Sequence, residues 1–256
     1  MGRAAPYHQG LGAITSRPAE ALLDLARVGE GSHVLDVATG PGYLAGRAAA
    51  RGASVVGADF SDEMLELAAS LYPAVSFQQA DATALPFDDA SFDAVVAAFL
   101  MPHVADLPAV CAELARVVRP GGRLAFATWD PEPESFIPFL FEAIAESGAV
   151  PPPSLPPGPP FFQYARDDEF TGLLAGAGLS DITVEPVSFI HHVDDLDAFW
   201  AELEGGTVRA SAMIRAQPAE LQARIRRMYG EKLSRWRVAD GYEVACAVKL
   251  GAATRS

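Results

Sequence analysis

The sequence predicts an α/β protein built on a mostly parallel sheet with helices on both faces. Three observations predict it. Short valine-rich apolar runs recur between amphipathic stretches from about residue 18 to 130, the pattern of strands buried on both sides in a parallel sheet. The first run, Val34 to Val37, leads into Ala38-Thr39-Gly40-Pro41-Gly42, a turn that opens a helix. Half of the 256 residues are hydrophobic, enough for one large domain with a proper core, or a core plus a modest appended lid.

In order, Pro18 to Ala26 reads as a helix and Val34 to Val37 as the first strand. Helix Tyr43 to Ala50, strand Ser54 to Ala58 and helix Asp62 to Leu71 follow. Strands Val75 to Gln78 and Phe92 to Ala98 come next, then helix Leu107 to Val118, closed by Pro120-Gly121-Gly122, a stop and turn. Strand Arg123 to Thr128 completes a βαβαβ series. The proline-rich stretch 151–160 reads as a loop or extended cover, since proline suits neither a helix interior nor a central strand. Beyond it Asp167 to Ala177 reads as a helix, Ile182 to Phe189 as a strand, Leu196 to Leu203 and Pro218 to Trp236 as helices, and Glu243 to Leu250 as a last strand. There is no internal repeat.

Composition narrows the function. With 33 acidic against 19 basic side chains and a formal charge of -14, the chain would repel a nucleic-acid backbone. Arg224-Ile225-Arg226-Arg227 reads as a solvated helix face. No apolar run reaches the roughly 18 residues a membrane span needs, and the first ten residues carry no long apolar signal core, so a cytoplasmic protein is expected. Cys111 and Cys246 stand apart in apolar stretches and read as buried small hydrophobes. No metal site is evident, Asp130 after the fifth strand standing alone.

The chemistry lies around the glycine turn. Glycines let a ligand approach the backbone, and a helix start offers free N–H groups. Asp36, four residues before Gly40, would repel a dinucleotide pyrophosphate and suits a cationic ligand. Asp59, 17 residues after Gly42 at the end of the second strand, is placed to accept both hydroxyls of a ribose. Asp81, after the third strand, falls within reach of an adenine amino group. Singly, each aspartate also suits a turn or helix cap; the ordered set favours a nucleoside ligand.

Together with Ser91-Phe92-Asp93-Ala94-Val95-Val96 and Arg116-Val117-Val118-Arg119-Pro120-Gly121-Gly122-Arg123-Leu124, these segments resemble the class I S-adenosylmethionine-dependent methyltransferases. The resemblance spans residues 30 to 130 and points to the small-molecule branch that includes ubiquinone and menaquinone methyltransferases. It implies a Rossmann-like seven-stranded sheet whose last strand, Glu243 to Leu250, is antiparallel and lies beside the sixth. It also implies an N-terminal segment 1–28 over the cofactor, a core 29–130 completed by 167–193 and 241–256, and mostly helical lid insertions 131–166 and 194–240. S-adenosyl-L-methionine is the implied cofactor and S-adenosyl-L-homocysteine the product.

Carried over, Gly40 and Gly42 would line the methionine part and Asp36 would bind near its ammonium group. Asp59 would hold the ribose, Phe60 and Met64 would pack on adenine, and Asp81 and the Ala82 backbone would meet its edge. Phe99 would lie near the sulfonium. His103 is the candidate base or substrate-orienting donor, against a structural role capping the next helix. Tyr7, His8, His191, His192 and Trp200 are acceptor-side candidates; of the two adjacent histidines only one can face inward. Aromatic side chains gathered in the insertions favour an apolar or aromatic small-molecule acceptor, methylated on oxygen or carbon, in a monomer or homodimer. Two other readings use the same fold: a cofactor-binding non-transferase, such as a pericyclase-type catalyst or regulator, and an NAD-dependent oxidoreductase, against which Asp36 argues.

Overall fold

The computed structural model describes residues 7, 8, 10–153, 155 and 160–256. Most of the N-terminal decapeptide and the centre of the proline-rich stretch lie outside them, so that part of the expected 1–28 segment and of the proline loop is not described. The chain divides into two compact units. One comprises Thr15–Asp130, Gly158–Val187 and Val248–Ser256, the other Met1–Ile14, Pro131–Pro157 and Ser188–Ala247.

The short α1 (Gly12–Thr15) falls mostly in the second unit; the first holds α2 (Ala19–Leu25), β1 (His33–Val37), α3 (Tyr43–Ala50), β2 (Ser54–Asp59), α4 (Asp62–Leu71), β3 (Ser76–Gln79) and β4 (Phe92–Ala98). A 3-10 turn, Met101–His103, leads to α5 (Leu107–Val117) and β5 (Val118–Trp129). Then α6 (Phe136–Ser147), α7 (Asp167–Gly176), β6 (Leu179–Val193), α8 (Leu196–Gly206), α9 (Val208–Arg215), α10 (Ala219–Leu233), β7 (Arg237–Val238) and β8 (Gly241–Arg255) complete the order.

The sheet runs β3-β2-β1-β4-β5-β8-β6, with β7 off this path on β8. β1 to β5 pair in parallel. β8 is antiparallel to β5, with Arg123 opposite Thr254 and Trp129 opposite Val248. The last strand is thus inserted before the sixth as the resemblance implies, and the two-residue β7 makes the strand count eight rather than seven.

Burial on both faces explains the apolar runs. Val34, Leu35, Val95 and Val96 are all fully buried, and consecutive strand residues point to opposite faces. One face forms a cluster of Leu35, Val37, Val95, Leu124 and Phe126 with Leu107, Cys111 and Leu114 of α5 and Phe170 and Leu174 of α7. Both cysteines are buried, and desolvation pushes the Cys111 thiol up to about 12.

Two expectations are corrected, the end of α5 and the lengths of β6 and β8. α5 ends at Val117, and the Pro-Gly-Gly residues lie within β5 rather than ahead of it. Val118 pairs with Phe92, and a register shift follows before Ala94, so the turn chemistry produces an irregularity at the start of the strand. The insertion after β5 contains a helix, α6. It has an apolar run, Phe136-Ile137-Pro138-Phe139-Leu140-Phe141, and Pro138 sits in its first turn, where no helical N–H bond is lost. β6 and β8 are 15 residues each, longer than the predicted runs.

The second unit has its own aromatic core. Phe136 meets Phe199 with ring centroids 5.7 Å apart, Trp200 meets Tyr229 at 5.9 Å, and Phe139 stacks on Trp236 at 5.3 Å. The Tyr229 hydroxyl donates to the Phe136 carbonyl at 3.3 Å, as a buried phenol must. Among the described residues no helix is long and apolar enough to cross a membrane.

Candidate functional site

Within the first unit, the ends of β1 to β4 bring the predicted cofactor-side residues to one edge of the sheet. The glycine turn is the most constrained part. Ala38, Gly40 and Gly42 have φ of 57°, 53° and 80°, so three of five consecutive residues are left-handed. For Ala38 that conformation costs about 1–2 kcal/mol, a strain that surrounding bonds must hold. The Thr39 amide donates to the Ala58 carbonyl at 3.0 Å and the Gly42 amide to the Thr39 carbonyl at 2.9 Å. A Cβ on Gly42 would press on Phe77, Ala68 and Tyr72 at 3.0–3.1 Å, whereas one on Gly40 would meet nothing within 4 Å. Gly42 therefore serves packing, and Gly40 leaves open backbone.

Two carboxylates clamp this turn from neighbouring strands. Asp36 is 1% exposed. Its Oδ2 accepts from the Thr39 hydroxyl at 2.7 Å and from the Ala45 amide of α3 at 3.1 Å. The helix lacks a side-chain cap at Gly42, so Asp36 fills that role from the strand and places negative charge at the positive helix end. Burial pushes its carboxyl up to about 7, opposed by the Thr39 and Ala45 bonds and assisted by the nearby Asp59 charge. Asp59 ends β2. It accepts from the Gly40 amide through Oδ2 at 2.8 Å and from the Ser61 amide through Oδ1 at 2.9 Å.

Phe60 is 74% exposed, with its carbonyl accepting from the Gln79 side-chain amide at 3.1 Å. An exposed phenyl ring fixed by its backbone offers a flat apolar surface. Met64 is half-buried in the first turn of α4, its amide meeting the capping Ser61 hydroxyl at 3.4 Å. Asp81 is exposed, and its Oδ1 accepts from both the amide and the hydroxyl of Thr83 at 2.8 Å, which holds its carboxyl below the usual range. Ala82 packs partly against the core. Phe99, with φ 58°, is nearly buried, and its ring lies 4.5 Å from that of Trp129. His103 is exposed at the end of the 3-10 turn.

The acceptor-side candidates Tyr7, His8, His191, His192 and Trp200 belong to the second unit. Tyr7 is half-buried and His8 exposed. His191 is half-buried with its ring 6.2 Å from Phe199, while His192 is exposed, 3.7 Å from Asp194. Trp200 is buried in that unit's aromatic core. Sequence reasoning passed over Thr39 and Trp129. Thr39 stands three residues after Asp36, a spacing suited to a side-chain bond, and Trp129 ends β5. Among the described residues no group of three or more His, Cys, Asp or Glu side chains is arranged to hold a metal.

A parallel sheet with an inserted antiparallel strand, and a glycine turn between β1 and the helix after it, is the arrangement of a Rossmann-like α/β domain. Residues 35–126 match the methyltransferase domain family. Over that stretch the chain is similar to class I S-adenosylmethionine-dependent methyltransferases, the quinone methyltransferases among them. A demethylmenaquinone methyltransferase of Thermus thermophilus is 45% identical over 118 residues, 44% of this chain and 54% of that protein. The chain spans about half the length of the curated relatives it matches. A geranyl diphosphate methyltransferase solved in complex with S-adenosylmethionine shares the fold at TM-score 0.54 and 21% identity, over 94% of this chain and 85% of that one. The [4+2]-cyclase SpnF shares it at TM-score 0.55 and 17% identity, over 93% and 80%.

Proposed function

We propose that this chain binds S-adenosyl-L-methionine at the glycine turn and transfers its methyl group to a small-molecule acceptor. The observation that carries the reading is the pair of carboxylates, Asp36 and Asp59, gripping a turn whose Gly40 leaves open backbone. The residues present fit the cofactor: a buried acid for a cationic amino-acid end, a strand-end acid for ribose hydroxyls and an exposed ring for a base. When bound, the cofactor supplies a methyl group on a sulfonium and leaves as S-adenosyl-L-homocysteine.

This chain's part is to hold and orient. Asp36 stabilises the turn and adds negative potential toward an ammonium group. Asp59 keeps lone pairs for ribose hydroxyls while anchoring Gly40. Phe60 and Met64 give adenine an apolar surface, Asp81 and the Ala82 backbone meet its edge, and Phe99 closes the region by the sulfonium. Holding donor and acceptor in line and excluding water supplies much of the acceleration in such a displacement. His103 takes the acceptor's proton when that acceptor is a hydroxyl and orients it otherwise. Tyr7, His8, His191, His192 and Trp200 are assigned to the acceptor on the family resemblance. The second unit's aromatic content supports an apolar or aromatic acceptor, methylated on oxygen or carbon in specialised metabolism.

A second reading has support in the likeness to a [4+2]-cyclase: the fold would bind the same cofactor without consuming it, since fold alone does not set the reaction. Calorimetry against S-adenosylmethionine, S-adenosylhomocysteine and NAD tests the cofactor, with the first two expected to bind and NAD not. Incubation with aromatic acceptors then separates the readings. Release of S-adenosylhomocysteine supports transfer, and turnover with intact cofactor overturns it.

A further inference from the structure

The first unit has a second polar feature at the opposite ends of its strands. A cavity of about 430 Å³ lies where β1, β4 and β5 begin, lined by Arg27, Glu30, Asp93, Arg119 and Arg123 and by open backbone at Gly31 and Gly121. Five residues of β1 at about 3.3 Å each set it roughly 16 Å from the glycine turn, so it is a separate place on the molecule.

Its charges do not balance. Arg123 is 5% exposed. Its guanidinium donates to the Leu25 carbonyl at 3.1 Å, the Asp181 carbonyl at 3.2 Å and the Thr254 hydroxyl at 2.8 Å. All three acceptors are neutral, and among the described residues no carboxylate pairs with it. Burial lowers its pKa and the charge of Arg27 lowers it further, opposed by the carboxylate of Asp181. Nη2 bonds to nothing among the described residues. A buried cation whose nearest carboxylate lies beyond ion-pair distance is costly, and a like charge beside it adds to the cost.

Arg27 is exposed, and its side chain makes no ion pair among the described residues. It holds φ 55° directly after α2, a position where glycine is usual. Arg119 and Asp93 neutralise each other at 2.7 Å, and Asp93 also accepts from the His33 amide at 2.7 Å. The lining then carries Arg27 and Arg123 against Glu30, with the Asp181 carboxylate acting on Arg123 from outside the lining, so the hollow itself is net positive on a chain of charge -14. The volume exceeds what one ion fills and falls in the range of small-ligand pockets, about 300–1,000 Å³. Guanidinium forks match phosphate oxygens, and two unpaired ones suit a dianion better than a monocarboxylate.

We propose that this cavity binds the phosphate group of a phosphorylated small molecule between Arg123 and Arg27. The cavity would then be a second ligand site, independent of the glycine turn. The test is titration of the full chain at constant ionic strength with phenyl phosphate, inorganic phosphate and benzoate, followed by calorimetry and by arginine side-chain nitrogen resonances. Phenyl phosphate is expected to bind at least tenfold tighter than benzoate and to shift the Arg27 and Arg123 signals. Arg27→Gln should weaken it tenfold or more, and Glu30→Gln should tighten it about threefold, both with S-adenosylmethionine affinity unchanged. Equal binding of phenyl phosphate and benzoate, or unchanged binding in both variants, overturns the site. Inorganic phosphate binding as tightly as the ester overturns the assignment to a phosphorylated molecule.

Discussion

Replacing Asp59 separates the ligand-holding role of this carboxylate from its structural one. Asp59 has two amide bonds of its own, from Gly40 at 2.8 Å and Ser61 at 2.9 Å. Hydrogen bonds to a charged acceptor are worth about 1.5–3 kcal/mol each, so two ribose hydroxyls amount to at least about 3 kcal/mol, roughly a hundredfold in affinity. Asp59→Ala is therefore expected to weaken S-adenosylmethionine binding by that factor or more, and by the same measure to lower stability by about 3 kcal/mol through the two lost amide bonds. Asp59→Asn keeps an oxygen for the Gly40 amide while losing the charge and one acceptor. It should retain most of the stability and still bind roughly tenfold more weakly. Calorimetry reads the affinity and urea unfolding the stability. A folded Asp59→Ala protein with affinity within about threefold of the parent, roughly 0.6 kcal/mol, would refute the ribose assignment.

Other variants test other parts of the site. The Asp36 carboxyl sits at about 7, above its ordinary 3.8, so the folded chain holds a proton that the unfolded chain has lost across that window. Stability should fall as pH rises from about 4 to about 7, with a slope of up to about 1.4 kcal/mol per unit from this group, and Asp36→Asn should remove that slope in denaturant melts followed across pH. A cation near Asp36 favours the ionised form, so S-adenosylmethionine affinity should rise with pH up to about 7 and level off above it; calorimetry showing no such rise would count against contact with the ammonium. Thr39→Val removes a 2.7 Å bond to buried Asp36 and should cost about 1–3 kcal/mol in urea unfolding. Phe60→Ala, at a 74% exposed ring, should change stability by less than about 0.5 kcal/mol while weakening cofactor binding. If His103 takes a proton, His103→Ala should lower kcat by roughly 10² or more with cofactor affinity unchanged.

The sheet was legible where its strands are buried on both faces. The predicted Tyr43 to Ala50, Asp62 to Leu71 and Phe92 to Ala98 have the observed bounds, β1 and β2 differ by one residue at one end, and β3 is shifted by one residue. Legibility failed where burial no longer alternates with the element's period. α6 is apolar on most sides and carries Pro138, so it reads as neither an amphipathic helix nor a loop. α9 is short and polar after Gly205-Gly206. β6, where Ser180, Asp181, His191 and His192 extend a mostly half-exposed strand, outruns its apolar core. In the site, Asp36 and Asp59 were readable from their spacing to the glycines. The left-handed backbone of Ala38 and Phe99 was not, because nothing in an alanine or a phenylalanine signals positive φ.

That strain connects fold and site. Ala38 and Gly40 are held in place by bonds ending on Thr39, Asp36 and Asp59, so the groups assigned to the ligand are the groups that keep the turn open. Each carboxylate has a cost when no ligand is present: Asp36 is desolvated, and Asp59 raises the Asp36 pKa by its charge. A cation between them would offset both costs together. Ligand binding should therefore stabilise the turn beyond its own contacts, and more at pH 8 than at pH 5, because only above about 7 is Asp36 charged before the cation arrives. Amide hydrogen exchange at Gly40 and Ala45 reads that coupling. Protection of both amides that rises on S-adenosylmethionine binding at pH 8 and much less at pH 5 is the expected result; equal protection at both pH values would place the cation away from Asp36.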